Sequence, residues 1–292
     1  MKAAARLLAF FAATVLFAAL SAPFLYWAAQ GLSSHATFSF LRDFDFETFF
    51  HRALLIGALL FLWPLLRSLR IRSARDLGLV ASEHPLRDAG AGFAMAAVPL
   101  LFFGALLLLL GVHSLRSSVS LGPLVSRTLS AVVVPFIEEP LFRGLILGVL
   151  LRGSPTLVAV FLSSAVFSIL HFLKAPEHTS TIVTWASGFV SIANAFSQFA
   201  EPALVLAGFT TLFLLGWILA DARIRTRSLW LPIGLHAGWI FASAAFSKVA
   251  RREMELLPWL GKNLLIGIAP LCVALLTWAL VRIWLTNVES DT

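Results

Sequence analysis

Two adjacent carboxylates, Glu138 and Glu139, interrupt an apolar run, and Arg143 follows within Phe136-Ile137-Glu138-Glu139-Pro140-Leu141-Phe142-Arg143-Gly144. Two further apolar runs carry one imidazole each: His171 in Phe167-Ser168-Ile169-Leu170-His171, and His236 in Gly234-Leu235-His236-Ala237-Gly238-Trp239. Carboxylate and imidazole together are the usual means of moving protons to and from a reacting water. Placing an ionisable group inside a lipid span costs roughly 2.5–3.5 kcal/mol, so such groups mark function more often than packing. Glu139 and Arg143 are one helical turn apart and can pair. Pairing offsets part of their desolvation, and a buried ion pair that fixes helix packing is the simplest role for them. Glu138 points about 100° away from Glu139 and has no intrahelical partner, which makes it the candidate general base or acid. Each histidine taken alone is balanced between a satisfied core residue and a functional one. Gly234, Ala237 and Gly238 around His236 allow a second helix, or a substrate backbone, to come close.

These groups must be positioned by elements that lie in lipid. Of the 292 residues 59% are hydrophobic and only 13% charged, and the mean hydropathy is +0.90. A soluble globule is nearer a quarter charged, so the composition predicts an all-α, polytopic integral membrane bundle. Eight segments are long enough to span, at about 5–29, 49–66, 91–112, 124–151, 156–173, 202–220, 229–247 and 264–285. No alternating ten-residue pattern of a membrane barrel occurs. Residues 182–196 are apolar but short and carry Ser187, Ser191 and Asn194. They read as one re-entrant or interfacial helix. The first span is too long for a simple signal peptide and reads as an uncleaved helix. Three regions follow: N-terminal spans over 1–123, a catalytic core over 124–247, and a C-terminal span and tail over 248–292.

The net charge of +7 comes from 22 Lys and Arg against 15 Asp and Glu. The basic residues cluster in short loops, above all Arg67, Arg70, Arg72, Arg75 and Arg87. That is the positive-inside pattern, so both termini are expected in the cytoplasm and the partners are membrane lipid rather than nucleic acid. The single cysteine, Cys272, rules out an internal disulfide and a multi-cysteine metal site. Counted along the helices, Glu138 and His171 lie about 20 and about 22 Å from the inner side, and His236 only about 10 Å. His35, His51, His84, His113 and His178 fall in loops or at span ends and take no role.

The order Glu138-Glu139-x-x-x-Arg143, then Phe167-x-x-x-His171, then His236, each on its own apolar run, resembles the CPBP intramembrane protease family. That family includes the CAAX prenyl proteases of the Rce type and the bacteriocin-processing and self-immunity proteins also called Abi. The resemblance covers about residues 124–247. It implies an endopeptidase that cuts a membrane-associated peptide or protein; the short loops and Ala/Leu richness place it in a bacterial plasma membrane. Glu138 would activate water with His171; Glu139 and Arg143 would shape and brace the site; His236 would polarise the scissile carbonyl or stabilise the oxyanion. Some members are described as metalloproteases. Glu138, His171 and His236 are adequate zinc ligands with water as the fourth, and metal-free activation by Glu138 and His171 stands equally beside that. One position departs from the family: the usual Asn or Asp four residues after the histidine is Ile240. Losing an oxyanion donor typically costs about 2.7–4 kcal/mol, and Ser243, near the same face as His236, is the partial substitute. A catalytically silent scaffold is therefore the alternative, and a proton-coupled carrier using Glu138, His171 and Arg143 the third reading.

Overall fold

In a computed structural model of the chain, residues 2–77, 79, 82–118, 121–172, 182–254, 256–261 and 263–290 are described. The elements run α1 Lys2–Leu32, α2 Phe46–Ser68, α3 Pro85–Leu109, β1 His113–Leu115, α4 Leu121–Glu139, a π turn Pro140–Ile146, α5 Leu147–Leu151 and α6 Thr156–Phe172. They continue with α7 Ser187–Phe196, α8 Pro202–Leu204, a second π turn Val205–Phe209, α9 Thr210–Thr226, α10 Trp230–Val249, β2 Ala250–Arg252 and α11 Ile268–Ser290. The protein is an all-α, polytopic integral membrane protein. Among the described residues the strands are limited to the three-residue antiparallel ribbon β1–β2.

Among the described residues, five helical stretches are long and apolar enough to cross a membrane: Ala3–Leu32, Phe46–Ser68, Pro85–Leu109, Val205–Thr226 and Ile268–Asn287. The other three expected spans are helical as well, over α4 to α5, α6 and α10. Helix α6 is apolar but short, at Thr156–His171; α4 to α5 with its π turn carries Glu138, Glu139 and Arg143, and α10 carries His236 and Lys248.

The chain divides into two compact units, Met1–Arg72 with Leu173–Glu201, and Ser73–Phe172 with Pro202–Thr292. The segment 124–247 is thus shared: its part from 173 to 201 groups with α1 and α2. Residues 173–181, including His178, lie outside the described residues.

In the first unit, Ala18, Ala19 and Ala22 of α1 meet Phe46, Phe50 and Ala53 of α2 in a buried cluster, with Ile192 of α7 packed against it. The small alanines let the aromatic rings of α2 fill the gap. Helix α7 has 10 residues, about 15 Å, half of what a bilayer core requires. Its Gly188 lies so close to α1 that an added Cβ would come 2.2 Å from the Ala19 carbonyl oxygen. Ser191 donates from Oγ to Oε1 of the buried Glu47 at 3.5 Å.

In the second unit, α3 and α10 form the closest pair. A Cβ added at Gly234 would meet the Ala89 carbonyl oxygen at 2.0 Å, and one at Gly238 the Phe93 carbonyl oxygen at 2.5 Å. From the other side, a Cβ added at Gly92 would meet the Leu231 carbonyl oxygen at 2.5 Å. Glycines four residues apart on α10 let the two backbones touch, the usual device where lipid supplies no hydrophobic drive. The space around Gly234 and Gly238 is therefore filled by α3 and not left for a substrate. Gly234→Ala is expected to destabilise the protein by about 3 kcal/mol, because backbone rather than a flexible side chain must yield. Thermal unfolding in detergent checks this, and a midpoint equal to wild type would contradict the packing.

Helices α6 and α9 form the second close pair, with Gly216 of α9 facing Ser164 and Phe167 of α6. Asp221 of α9 anchors α11, accepting from Trp278 Nε1 at 2.9 Å while Arg225 Nε bonds its other oxygen at 2.9 Å. The loop before α11 is tied in by Gly267 N–H, which donates to the Ala207 carbonyl at 3.0 Å.

Candidate active site

Pro140 has no N–H to give to the carbonyl four residues back, so the α-helical ladder fails immediately after the two glutamates. The chain responds by widening into the π turn Pro140–Ile146, where Leu147 N–H bonds the Phe142 carbonyl, five residues back. Sequence reasoning treated 124–151 as one regular helix. The wide turn is the departure, and such turns recur at functional sites. Gly144 inside it packs against Leu77, with an added Cβ 2.4 Å from the Leu77 carbonyl oxygen.

Glu139 is fully buried and Arg143 nearly so, and Arg143 Nη1 donates to Glu139 Oε1 at 3.1 Å. The other end of the guanidinium, Nη2, reaches the Gly216 carbonyl of α9 at 3.4 Å. The same Oε1 of Glu139 lies 2.7 Å from Nδ1 of His236. With the carboxylate held by Arg143, His236 must be the donor there: Nδ1 carries the proton and Nε2 is left bare in the neutral ring.

His171 obeys the same logic. Its Nδ1 lies 2.9 Å from the Phe167 carbonyl, one turn back on α6. A carbonyl only accepts, so Nδ1–H donates and Nε2 is the free acceptor. That Nε2 lies 3.1 Å from Oε2 of Glu138, and His236 Nε2 lies 3.8 Å from the same oxygen. Three proton acceptors therefore converge on one point. Such a cluster is satisfied only by something that brings protons or positive charge: a water, a shared proton or a cation. Glu138 and His171 keep about a quarter of their side-chain surface open, 26% and 28%, whereas His236 is 8% exposed. The reactive edge is reachable and the bracing behind it is sealed.

All five residues expected from the sequence, Glu138, Glu139, Arg143, His171 and His236, thus meet in one cluster built from α4, its π turn, α6 and α10. His236 joins at the same level although counting from the helix end placed it shallower. Leu229 and Leu231 at the start of α10 are fully buried. That end lies inside protein, so it was a poor marker of the membrane surface.

Phe167 is a member of the site that sequence reasoning quoted but gave no role. Its ring lies 4.1 Å from the His171 ring by centroids. The Arg143 guanidinium sits over the same ring at 4.3 Å. Phe167 is sandwiched between cation and imidazole, and so fixes the distance between the bracing pair and the reactive edge. Its signal was the four-residue spacing to His171. Gly216 was also missed: without a side chain, it lets α9 offer its carbonyl to Arg143. Ile240, in the position where the family carries Asn or Asp, lines a cavity of about 380 Å³ together with Ser243, Ser247, Lys248 and Asn263.

A carboxylate–imidazole centre shared among membrane helices is chemically able to move protons to and from a water. Residues 120–242 match the family model described as Type II CAAX prenyl endopeptidase Rce1-like, so that segment is similar to the CPBP, or CAAX-protease, family. No curated protein and no solved structure matches it.

Proposed function

We propose that this protein is an endopeptidase that hydrolyses a peptide bond of a membrane-associated protein or peptide, with water activated by Glu138 and His171. The observation that carries the reading is the convergence of Glu138 Oε2 with the bare Nε2 atoms of His171 and His236. A water at that point donates one proton to Glu138 Oε2 and directs a lone pair at the scissile carbonyl carbon. Glu138 takes the proton as the C–O bond forms and returns it to the amide nitrogen as the C–N bond breaks. His171, locked by its bond to the Phe167 carbonyl, holds the water in line. His236 stabilises the oxyanion. With a proton taken from bulk water on Nε2, it donates from that atom to the oxyanion and returns the proton to solvent on product release; its positive charge is supported at Nδ1 by Glu139, itself held by Arg143. This arrangement compensates for an aliphatic Ile240, because the donor comes from the histidine and not from a residue one turn beyond it.

Zinc is the alternative activator. Glu138, His171 and His236 are the right chemical types, and the carbonyl and carboxylate behind the two Nδ1 atoms are the usual outer partners of zinc-bound imidazoles. The steps above use only the chain's own groups.

The test is cleavage of membrane-anchored peptides by the purified chain in liposomes, before and after exhaustive chelation. Turnover retained after chelation is the expected result. Turnover lost on chelation and restored by zinc would replace the metal-free steps. No turnover with any anchored peptide, at protein levels that preserve the fold, would favour the silent scaffold.

A further inference from the structure

The second unit holds a further cluster of charge, at the ribbon that follows the membrane-spanning α3. Strand β1 pairs with β2 so that His113 faces Arg252 and Ser114 faces Arg251. The ribbon and the adjacent loop close a pocket of about 390 Å³ whose walls include His113, Arg116, Ser247, Arg251, Arg252 and Asn263. Three guanidinium groups thus line one small space. The nearby Glu253 accepts from Ser114 Oγ and, at 2.7 Å, from Arg251 Nε. Among the described residues, the charged groups at the pocket are these guanidiniums with Glu253 beside them.

The arginines are held in a particular way. Arg116 Nε donates to the Ala250 carbonyl at 3.2 Å, and Arg251 Nε donates to Ser114 Oγ at 3.1 Å as well as to Glu253. Both side chains are fixed through Nε, so their terminal Nη groups have no hydrogen-bond partner among the described residues. A guanidinium anchored by Nε presents Nη groups already oriented for a tetrahedral oxyanion. His113 supplies a second, independent sign. It is 8% exposed, yet its Nδ1 has no hydrogen-bond partner among the described residues. Burial, with Arg252 beside it, lowers its pKa below the ordinary histidine value, so the ring adds hydrogen bonding and not charge. Asn263 Oδ1 accepts from Leu265 N–H at 2.9 Å, which leaves the amide nitrogen to donate. A basic pocket where a membrane helix ends is the setting in which lipid head groups are recognised.

We propose that the pocket between the β1–β2 ribbon and Asn263 binds a phosphate-bearing anion, gripped by the Nη groups of Arg116 and Arg251. The phosphate is that of a lipid head group or free phosphate, and the two sources share this chemistry. The site is separate from the Glu138 centre and stands whether or not that centre is catalytic.

The experiment uses the full chain purified in a neutral detergent. Equilibrium binding of radiolabelled inorganic phosphate is one arm. The other is native mass spectrometry after transfer through nanodiscs containing phosphatidylglycerol with a phosphate-free neutral lipid. Saturable phosphate binding that is weakened at least tenfold by Arg116→Gln supports the site with free phosphate as ligand. Retention of phosphatidylglycerol that falls as far in the same variant supports it with lipid as ligand. Arg251→Gln is the safeguard, since that side chain is 65% exposed and its loss leaves the fold intact. Arg251→Lys keeps the charge but not the fork, and is expected to weaken binding several-fold. Failure of wild type to hold either probe overturns the proposal, as does equal binding by wild type, Arg116→Gln and Arg251→Gln. Capture of an acidic peptide in place of both phosphate probes also overturns it.

Discussion

Glu138→Gln is expected to lower kcat/KM for peptide cleavage by about a thousandfold or more, within the range that a positioned general base contributes. The amide is the same size as the carboxylate but cannot take a proton from water. The bracing behind it, Arg143 to Glu139 to His236, does not pass through Glu138 and stays in place. The variant should therefore fold as wild type does, and its thermal midpoint should not fall. Glu138→Asp sharpens the test. It keeps the base but withdraws it by one methylene from a point held at 3.1 Å from His171 Nε2, and about a hundredfold loss is expected from misplacement alone. Rates equal to wild type in both variants would remove Glu138 from the chemistry and leave a protein that uses the family scaffold for something else.

Arg143→Met has the largest expected effect on stability. The guanidinium is 1% exposed, and its carboxylate partner is fully buried. Removing one partner of a buried pair leaves an uncompensated charge, which typically costs about 3–5 kcal/mol. Glu139→Gln also leaves the Arg143 charge without its counter-charge but should cost less, because the amide oxygen still accepts from both Arg143 Nη1 and His236 Nδ1. The double substitution, Glu139→Gln with Arg143→Met, should recover much of the loss of Arg143→Met alone, since no unpaired charge then remains. Chemical denaturation of all four proteins in one detergent measures the coupling. Additive losses would mean the pair does not interact as described. Activity offers a second readout. The double variant should fold but turn over poorly, because a neutral partner no longer supports positive charge on His236.

The two predictions separate features that the sequence joined. Glu138 and Glu139 are neighbours in the chain and chemically identical, yet one faces an open point between two imidazoles and the other an enclosed guanidinium. The sequence distinguished them by angle alone: four-residue spacing assigned Arg143 to Glu139 and left Glu138 without a partner. That inference needed only helical periodicity, which is local and strong. The same rule paired Phe167 with His171, though it did not show that the ring would also receive Arg143.

What the sequence by itself determined was the solvent and the inventory. Too few charges remain to coat a water-soluble surface, so the chain lies in lipid. Lipid forces the backbone into helices, and ionisable groups inside those helices stand out because each is costly there. The sequence also marked the close approach at Gly234 and Gly238, but not what approaches; α3 does. Tertiary structure alone decided which atoms meet. Hydropathy counts depth from helix ends, and the buried start of α10 shows that helix ends need not share a plane. Proton placement on His171 and His236 was likewise out of reach, because it depends on which carbonyl or carboxylate lies behind each ring. Residues 33 and 97 or 98 positions apart come to 3.1 and 2.7–3.8 Å through helix packing. No local rule of spacing carries information over that distance.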